Sequence, residues 1–271
     1  MLIQDILVAT RNTNKGSIMA KNLTDKEFWE SYWGNLILPS KVDNKHTFDR
    51  CLSKELEILT QDQSGEIFEI GCAPGKWIGF LAQKNGLTPC GIEYTKGGLE
   101  STFKNFELLQ ITPGVIFSED FFKIEPFRKF DVVMSLGFIE HFENIDEVVN
   151  LHLSWLKDGG MLILGVPNFT GINRFIQREL DESLLDKHNL TIMNLEFFKN
   201  LGERLEIKLN SKKYLGSFEP DLFIPIKRFG NPIQILIKIF LIIVRKLRKF
   251  EIFDHINGSS FSSYILVSYI K

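Results

Sequence analysis

Short apolar runs alternate with segments of helical periodicity between residues 66 and 167. Each apolar run has the length of a buried strand and is too short for a buried helix. A strand, a helix and a second strand of one sheet form a right-handed crossover, which makes the two strands parallel. The alternation therefore predicts an α/β fold with a doubly wound, mostly parallel sheet and helices on both faces. The predicted strands are Glu66–Ile70, Pro89–Glu93, Gly114–Phe117, Phe130–Leu136 and Gly160–Pro167.

Helical patterns lie between these strands and on either side of them. Aromatic residues at 28, 29, 32 and 33 share one helical face, and a second helical pattern covers residues 47–60. We therefore expect an N-terminal helical cap over residues 1–60, followed by a main domain over 61–271. The predicted helices of the main domain are Lys76–Asn85, Gly97–Leu109, Ile145–Leu156, Asn194–Leu201 and Ile233–Phe250.

The pattern is weaker after Pro167, where residues 168–256 are expected to form an insertion into the main domain. Within this insertion Arg204–Leu209 and Ser217–Phe223 are predicted strands. The segment Ser262–Ile270 alternates well enough to close the sheet as its last strand, which predicts a sheet of the seven-stranded type.

Composition excludes several kinds of partner and site. The net charge is −2, so no overall positive field attracts nucleic acid, and we expect none as a partner. The three cysteines, Cys51, Cys72 and Cys90, are far apart and lack CxxC spacing. Neither a disulfide framework nor a metal site is predicted from them. The early apolar stretch is too short for a secretory signal, and we expect a cytoplasmic location.

The late segment Ile233–Phe250 combines a wide apolar face with a basic stripe. It falls short of the length needed to span a bilayer. Three placements remain open: burial in the core, a homodimer interface, or a peripheral position on the inner face of a membrane.

The turn after the first predicted strand is the expected ligand site, because ligands of open α/β sheets bind beyond the carboxyl ends of the strands. It reads EIGCAPGKW over residues 69–77. Gly71 and Gly75 remove side chains where a cofactor must approach the backbone. The run is neither a GxGxxG fingerprint nor a Walker loop, and Pro74 disfavours NAD as the ligand.

Five motifs within residues 64–168 resemble those of the class I S-adenosylmethionine-dependent methyltransferases, especially the bacterial branch acting on small molecules and glycans. The motifs are EIGCAPG (69–75), GIE (91–93), SEDFF (118–122), FDVVMSLGFIEHFEN (130–144) and LKDGGMLILGVPN (156–168). The resemblance implies methyl transfer with S-adenosylmethionine as the cofactor.

The same resemblance assigns cofactor contacts residue by residue. Glu93 matches the acid that binds the ribose, and a carboxylate there is able to accept from both ribose hydroxyls. Asp120 matches the position near the adenine amino group, and Phe121 is placed to cover the ring. Glu69 is expected to hold the turn or the cofactor ammonium. The full predicted set is Glu69, Gly71, Cys72, Ala73, Gly75, Glu93, Tyr94, Asp120, Phe121, Ser135 and Leu136.

Methyl transfer requires an aligned nucleophile, the exclusion of water and sometimes a proton acceptor. His141 and its neighbour Glu140 follow the fourth predicted strand, and a neutral imidazole there suits a base. The alternative is a packing or capping role at a helix start. His188 lies in the region where such enzymes build substrate pockets, and the alternative is an exposed loop histidine. The aromatic residues near Trp29 are expected to cover the cofactor or to dock the helix.

These observations predict a methyltransferase that acts on an oxygen or nitrogen atom of a small metabolite or a surface-glycan sugar. The glycan expectation rests on residues 168–199, which resemble methyltransferases of polysaccharide pathways. One alternative is a catalytically silent scaffold that still binds S-adenosylmethionine. Another is an RNA ribose methyltransferase, because GCAPGKW resembles the turn of those enzymes. They carry an aspartate at the end of the fourth strand, where this chain has Ser135 and Leu136.

Overall fold

The computed structural model describes residues 22–34, 36–223, 232–248 and 250–271. The predicted N-terminal cap therefore lies partly outside the described residues, since it includes 1–21. Seven strands of the described chain form one sheet. They are β1 (Glu66–Ile70), β2 (Thr88–Ile92), β3 (Ile116–Phe117), β4 (Phe130–Leu136), β5 (Leu156–Pro167), β6 (Lys208–Leu215) and β7 (Tyr264–Ile270).

Eight α-helices accompany these strands in the described ranges, together with short 3₁₀ turns. They are α1 (Lys26–Gly34), α2 (Thr47–Thr60), α3 (Lys76–Asn85), α4 (Lys96–Leu109), α5 (Ile145–Ser154), α6 (Gly171–Asp181), α7 (Leu195–Arg204) and α8 (Pro232–Leu247).

The strand order is β3-β2-β1-β4-β5-β7-β6. The first five strands of this order are parallel to one another, and β7 runs antiparallel to both β5 and β6. The chain moves outward from β1 to β3 and then returns to the centre at β4. This reversal creates a switch point at the carboxyl ends of β1 and β4. The predicted doubly wound, mostly parallel α/β fold is confirmed.

Element bounds follow the sequence closely in the first two thirds of the chain. The elements β1, β4, α2 and α3 begin and end at the predicted residues. Helix α3 ends where Gly86 adopts a φ of 71° and its N–H donates to the carbonyl of Ala82. A left-handed glycine of this kind is a common helix terminator, which is why this bound is readable from sequence.

Two predicted strands in the late segment are wrong. Arg204–Leu209 is a strand only at Lys208 and Leu209, because α7 continues to Arg204, whose guanidinium binds Asp146 at 2.7 and 2.8 Å. The strand β6 begins only at Lys208. Ser217–Phe223 leaves the sheet, since Ser217 has a φ of 49° and Pro220 opens a 3₁₀ turn. Proline offers no N–H to a strand ladder.

The sheet separates two apolar layers. Phe68 in β1 faces one layer, where its ring stacks on Phe130 at 4.4 Å and on Trp155 at 4.9 Å. Its neighbour Ile67 faces the other layer and belongs to the same buried cluster as Leu52 of α2. Successive side chains of a strand point to opposite faces, so β1 is covered on both sides.

Helix α8 lies at the periphery. It packs through Ile237, which is buried in a small cluster with Ile176 and Leu180 of α6. The opposite face of α8 is apolar and exposed. Among the helices in the described ranges, none has the length and apolarity needed to cross a membrane.

Candidate active site

A cavity of about 680 Å³ opens at the carboxyl ends of β1, β2 and β4. This is the position where open α/β sheets bind their ligands. Most of the predicted site residues meet in its wall, although they come from distant parts of the chain. They are Glu69, Gly71, Cys72, Ala73, Glu93, Tyr94, Asp120, Phe121, Leu136, Glu140, His141 and His188.

The glycine turn after β1 forms one side of the cavity. Gly71 has a φ of 70°, a conformation that glycine adopts without strain. The N–H groups of Gly71 and Cys72 both donate to the carbonyl of Ile92, which ties the turn to the end of β2. A Cβ atom at Gly71 would lie 3.2 Å from the ring of Phe138. Glycine at position 71 therefore leaves space in the cavity that a larger side chain would fill.

Two predicted cofactor residues, Gly75 and Ser135, are not among the residues of the cavity wall. Gly75 precedes α3 with a φ of 79°, and a Cβ there would lie 2.7 Å from the ring of Phe106. Its small size serves helix packing. Ser135 is buried in β4, where its hydroxyl lies 3.0 Å from Nε2 of His152. Contact of either residue with the cofactor stays a prediction.

Glu93 stands directly after β2 and is buried in the cavity wall. The backbone N–H and the hydroxyl of Thr95 donate to its Oε1 at 2.8 and 2.6 Å. Burial raises the pKa of Glu93, and the bonds from Thr95 oppose this effect. The carboxylate is thus held in one orientation at the mouth of the glycine turn.

The other predicted acids differ in their surroundings. Glu69 at the end of β1 is buried, and burial raises its pKa well above the usual value. Asp120 is closer to solvent, where it binds the N–H of Phe122 and pairs with Lys123 at 2.9 Å. The ring of Phe121 packs edge-on against Phe138 with centroids 5.9 Å apart. Two acids and an aromatic ring therefore surround the space next to Glu93.

The three predicted catalytic residues form a compact cluster in the cavity wall. Glu140 and His141 occupy a short 3₁₀ turn after β4, and the rings of His141 and His188 lie 4.8 Å apart. One ligand atom from each of the three side chains lies within 4.8 Å of the other two. The structure brings together His141 and His188, which are distant in sequence.

Burial dominates the protonation of this cluster. It raises the pKa of Glu140 to about 8 and lowers the pKa of His141 to about 4. The pKa of His188 is also lowered by burial. Nδ1 of His141 lies 2.7 Å from the carbonyl of Lys187, and Nδ1 of His188 lies 2.8 Å from that of Leu184. A carbonyl only accepts, so each Nδ1 carries the proton and each Nε2 keeps its lone pair.

Helix α1 covers the cavity. The carboxylate of Glu30 accepts from the N–H groups of Lys96 and Gly97, which docks α1 on the start of α4. The ring of Trp29 lies 5.3 Å from that of His141. The aromatic residues of α1 in the cavity wall are Phe28, Trp29, Tyr32 and Trp33.

A family model described as a methyltransferase domain matches residues 44–204 of this chain. That range covers more than half of the sequence. The chain belongs to this methyltransferase family. The sequence-based prediction of a class I S-adenosylmethionine-dependent methyltransferase is confirmed at this level. No curated protein sequence matches the chain significantly.

Solved structures support the same fold for this methyltransferase. The N-methyltransferase NodS from Bradyrhizobium japonicum WM9, in complex with S-adenosyl-l-homocysteine, has a TM-score of 0.56 at 12% identity, covering 92% of this chain and 99% of that one. A putative sarcosine dimethylglycine methyltransferase from Galdieria sulphuraria has a TM-score of 0.55 at 14% identity, with 91% and 97% covered. A SAM-dependent methyltransferase from Archaeoglobus fulgidus has a TM-score of 0.50 at 17% identity, with 82% and 94% covered.

Sequence reasoning missed several wall residues of this methyltransferase. Phe138 lies beside the glycine turn, and Tyr264 reaches the cavity from the start of β7. Phe169 and Leu184 complete the region next to His188. Only Phe138 carried a local signal, because it follows directly on the end of a predicted strand. The other three reach the cavity through long-range packing that no sequence period indicates.

Proposed function

We propose that this methyltransferase transfers the methyl group of S-adenosylmethionine to an oxygen or nitrogen atom of a small metabolite or of a surface-glycan sugar. One observation supports the proposal most. The Gly71 turn, the Glu93 carboxylate and the cluster of Glu140, His141 and His188 line the same cavity. The wall of one cavity thus combines residues suited to hold a nucleoside with residues suited to accept a proton.

The nucleoside half of the cofactor fits the side of the cavity near Gly71. The turn offers an open backbone surface, and Glu93 offers a fixed carboxylate for the ribose hydroxyls. Asp120 is placed to accept from the adenine amino group, beside the ring of Phe121. The buried carboxylate of Glu69 suits the cofactor ammonium, whose charge would offset the cost of ionising Glu69 in an apolar site.

The part of the cavity wall formed by Glu140, His141 and His188 suits the methyl acceptor. When bound, S-adenosylmethionine would supply an electrophilic methyl group to an acceptor lone pair, with the sulfonium sulfur as the leaving group. Glu140 and His141 present oxygen and nitrogen lone pairs to the cavity, and we assign them to orient the acceptor and receive its proton. His188 stands beside them. Helix α1 covers this chemistry and keeps water from competing.

Two observations guide the choice of acceptor. The wall contributed by Phe28, Trp29, Phe138 and Phe169 suits a small molecule with an apolar body and one polar nucleophile. NodS, which shares the fold, is an N-methyltransferase, and this keeps nitrogen acceptors in the proposal beside oxygen acceptors. Surface-glycan sugars remain in the proposal on the strength of residues 168–199. The net charge of −2 argues against RNA.

The experiment starts with calorimetry of S-adenosylmethionine binding. Purified protein is then incubated with methyl-labelled cofactor and a panel of amines and sugars, and the products are identified by mass spectrometry. His141→Ala is expected to lower turnover far more than cofactor affinity, whereas His255→Ala, at an exposed position, is the matched control. Equal turnover would remove His141 from the site. Tight cofactor binding without methylation of any acceptor would favour the silent scaffold.

A further inference from the structure

When the Glu140 carboxyl is ionised, the side chains of Glu140, His141 and His188 offer only lone pairs to one another. Each histidine donates Nδ1–H to a backbone carbonyl, so its Nε2 is a bare acceptor. Glu140 is 1% exposed, and its Oε2 is buried without a hydrogen-bond partner. Its Oε1 lies 3.8 Å from Nε2 of His141, too far for a hydrogen bond. Three side-chain acceptors thus converge, and with Glu140 ionised none of the three side chains offers a donor to the others.

Such an arrangement is costly unless something positive fills it, because a buried polar group without a hydrogen-bond partner loses the bonds that water would give it. The neighbouring ammonium of Lys187 does not fill it, because that group lies 4.1 Å over the ring of Phe28. With Nδ1–H donated to a carbonyl, each imidazole presents the Nε2 lone pair, the atom through which it would bind a metal ion. The carbonyls that orient the two rings resemble the outer contacts that fix metal-binding histidines.

We propose that Glu140, His141 and His188 bind a divalent transition metal ion. Two imidazoles and one carboxylate suit Zn²⁺, Fe²⁺, Mn²⁺ or Co²⁺, and three protein ligands leave positions open toward the cavity. The ion gives the buried carboxylate its missing partner. This inference rests on the proposed function, because the open positions face the space assigned to the acceptor.

A metal at this place narrows the acceptor class. A bound cation lowers the pKa of a hydroxyl that coordinates it, whereas a neutral amine needs no such activation to attack a methyl group. The site therefore favours an oxygen nucleophile, such as the hydroxyl of a sugar or of a phenol. With the ion bound, Glu140 and the two histidines would position the acceptor through it, and the hydroxyl proton would leave to solvent because their lone pairs hold the metal.

The test uses full-length protein stripped with a chelator and titrated with Co²⁺, whose visible absorption reports its ligands. Wild type and His255→Ala are expected to bind one ion with the spectrum of a nitrogen and oxygen site. His188→Ala and Glu140→Gln are expected to lose that spectrum and to weaken binding at least tenfold. Calorimetry of S-adenosylmethionine on each variant shows whether the cofactor site is intact.

Two outcomes would overturn the metal site: wild type that binds cofactor but no Co²⁺, or variants that retain the spectrum. Both leave the proposed methyl transfer standing. Protein that binds Co²⁺ but ignores S-adenosylmethionine would instead contradict the proposed function and keep the metal site. The two proposals therefore fail in distinguishable ways.

A second inference comes from the exposed face of α8, which is independent of the cavity. The face presents large aliphatic and aromatic side chains to solvent, and Leu236 is 65% exposed. Contiguous apolar surfaces of this kind mark sites of interaction. Exposed members of this face are Ile233, Ile235, Leu236, Ile239, Phe240 and Ile243.

The basic residues around α8 favour one kind of partner for its exposed face. Residues 222–250 contain seven basic residues and no acidic one, although the whole chain has a net charge of −2. Arg245 and Arg248 form ion pairs with Asp221 and Glu219, and the other five basic residues lie outside these two pairs. A second copy of the chain would bring the same basic residues against this face. An anionic lipid surface instead complements both the apolar side chains and their basic neighbours. We infer that α8 lies in the surface of an anionic membrane.

The test is sedimentation of full-length protein with vesicles of phosphatidylcholine alone or mixed with phosphatidylglycerol. Wild type is expected to sediment with the mixed vesicles only, and a Leu236→Glu/Ile243→Glu variant to stay in the supernatant. Leu108→Glu, on exposed α4, is the matched control. A wild type that binds neither vesicle, or that forms a dimer which the double variant dissociates, would overturn this inference.

Discussion

Glu93 and Thr95 are joined by two hydrogen bonds that share one carboxylate oxygen. The backbone N–H and the hydroxyl of Thr95 both donate to Oε1 of Glu93, at 2.8 and 2.6 Å. The same hydroxyl accepts from the N–H of Gly98 and caps α4. The carboxylate is therefore fixed by the start of a helix, and it is oriented before any ligand arrives.

Glu93→Ala should weaken S-adenosylmethionine binding by about 1.5–3 kcal/mol, the scale of hydrogen bonds to a charged group. Isothermal calorimetry measures this change directly. Glu100→Ala is the control, because it removes a carboxylate from exposed α4 outside the cavity. Unchanged affinity in Glu93→Ala would refute the ribose assignment.

Gly71→Ala should reduce both stability and cofactor affinity. A side chain at positive φ costs about 1–2 kcal/mol, and the new Cβ would lie 3.2 Å from Phe138. Gly159→Ala is a matched control, because its φ is 76° and nothing lies within 4 Å of its Cβ. Thermal unfolding should show a loss in both variants, whereas calorimetry should show weaker cofactor binding only for Gly71→Ala. Equal affinity in the two would contradict the role of the turn.

The sequence predicted the first half of the fold because its signals are local. The apolar run at β1 and the glycine turn after it are neighbours in the chain, and the topology rules of parallel sheets place them at one edge. The positions of Gly71 and Glu93 in the cavity wall therefore follow from the order of strands alone. The contacts of Glu140 and His141 with His188 were less readable, since they depend on how residues 182–192 fold back.

The failures have a different cause. Ser217–Phe223 has the composition of a strand, but Ser217 at positive φ and Pro220 turn the chain away from the sheet. Tyr264 reaches the cavity only because β7 inserts antiparallel between β5 and β6. That insertion is a long-range event, and no local pattern in the Tyr264 segment indicates which side chain would line the site. Sequence-based prediction fails at these positions because long-range strand pairing, and not a local pattern, decides the fold of the segment and which side chains line the cavity.

Glu30→Ala should loosen α1 over the cavity. Its carboxylate satisfies the free N–H groups of Lys96 and Gly97, and loss of a cap of this kind costs about 1 kcal/mol. Hydrogen exchange should be faster across residues 26–34, and the cofactor should dissociate faster. Glu107→Ala, which removes an exposed carboxylate from the same α4, should change neither rate. Unchanged exchange in Glu30→Ala would show that other contacts hold α1.

His152 makes the folded state sensitive to acid. The side chain is fully buried, with Nδ1 2.8 Å from the carbonyl of Val148 and Nε2 3.0 Å from the hydroxyl of Ser135. These contacts suit a neutral ring that donates from Nδ1 and accepts at Nε2. Burial lowers the pKa of His152 from 6.5 to about 4. The unfolded state therefore binds the proton more readily than the folded state does.

It follows that His152 contributes stability above pH 6.5 that is lost as the pH falls from 6.5 toward 4. The full loss from this one group is roughly 3 kcal/mol. Urea unfolding at pH 7 and at pH 4.5 should show a smaller decline for His152→Gln than for wild type, because glutamine does not titrate. His255→Ala, at an exposed position, should decline like wild type. Parallel declines in all three proteins would show that the His152 ring is charged in the fold or accessible to water, contrary to the contacts seen.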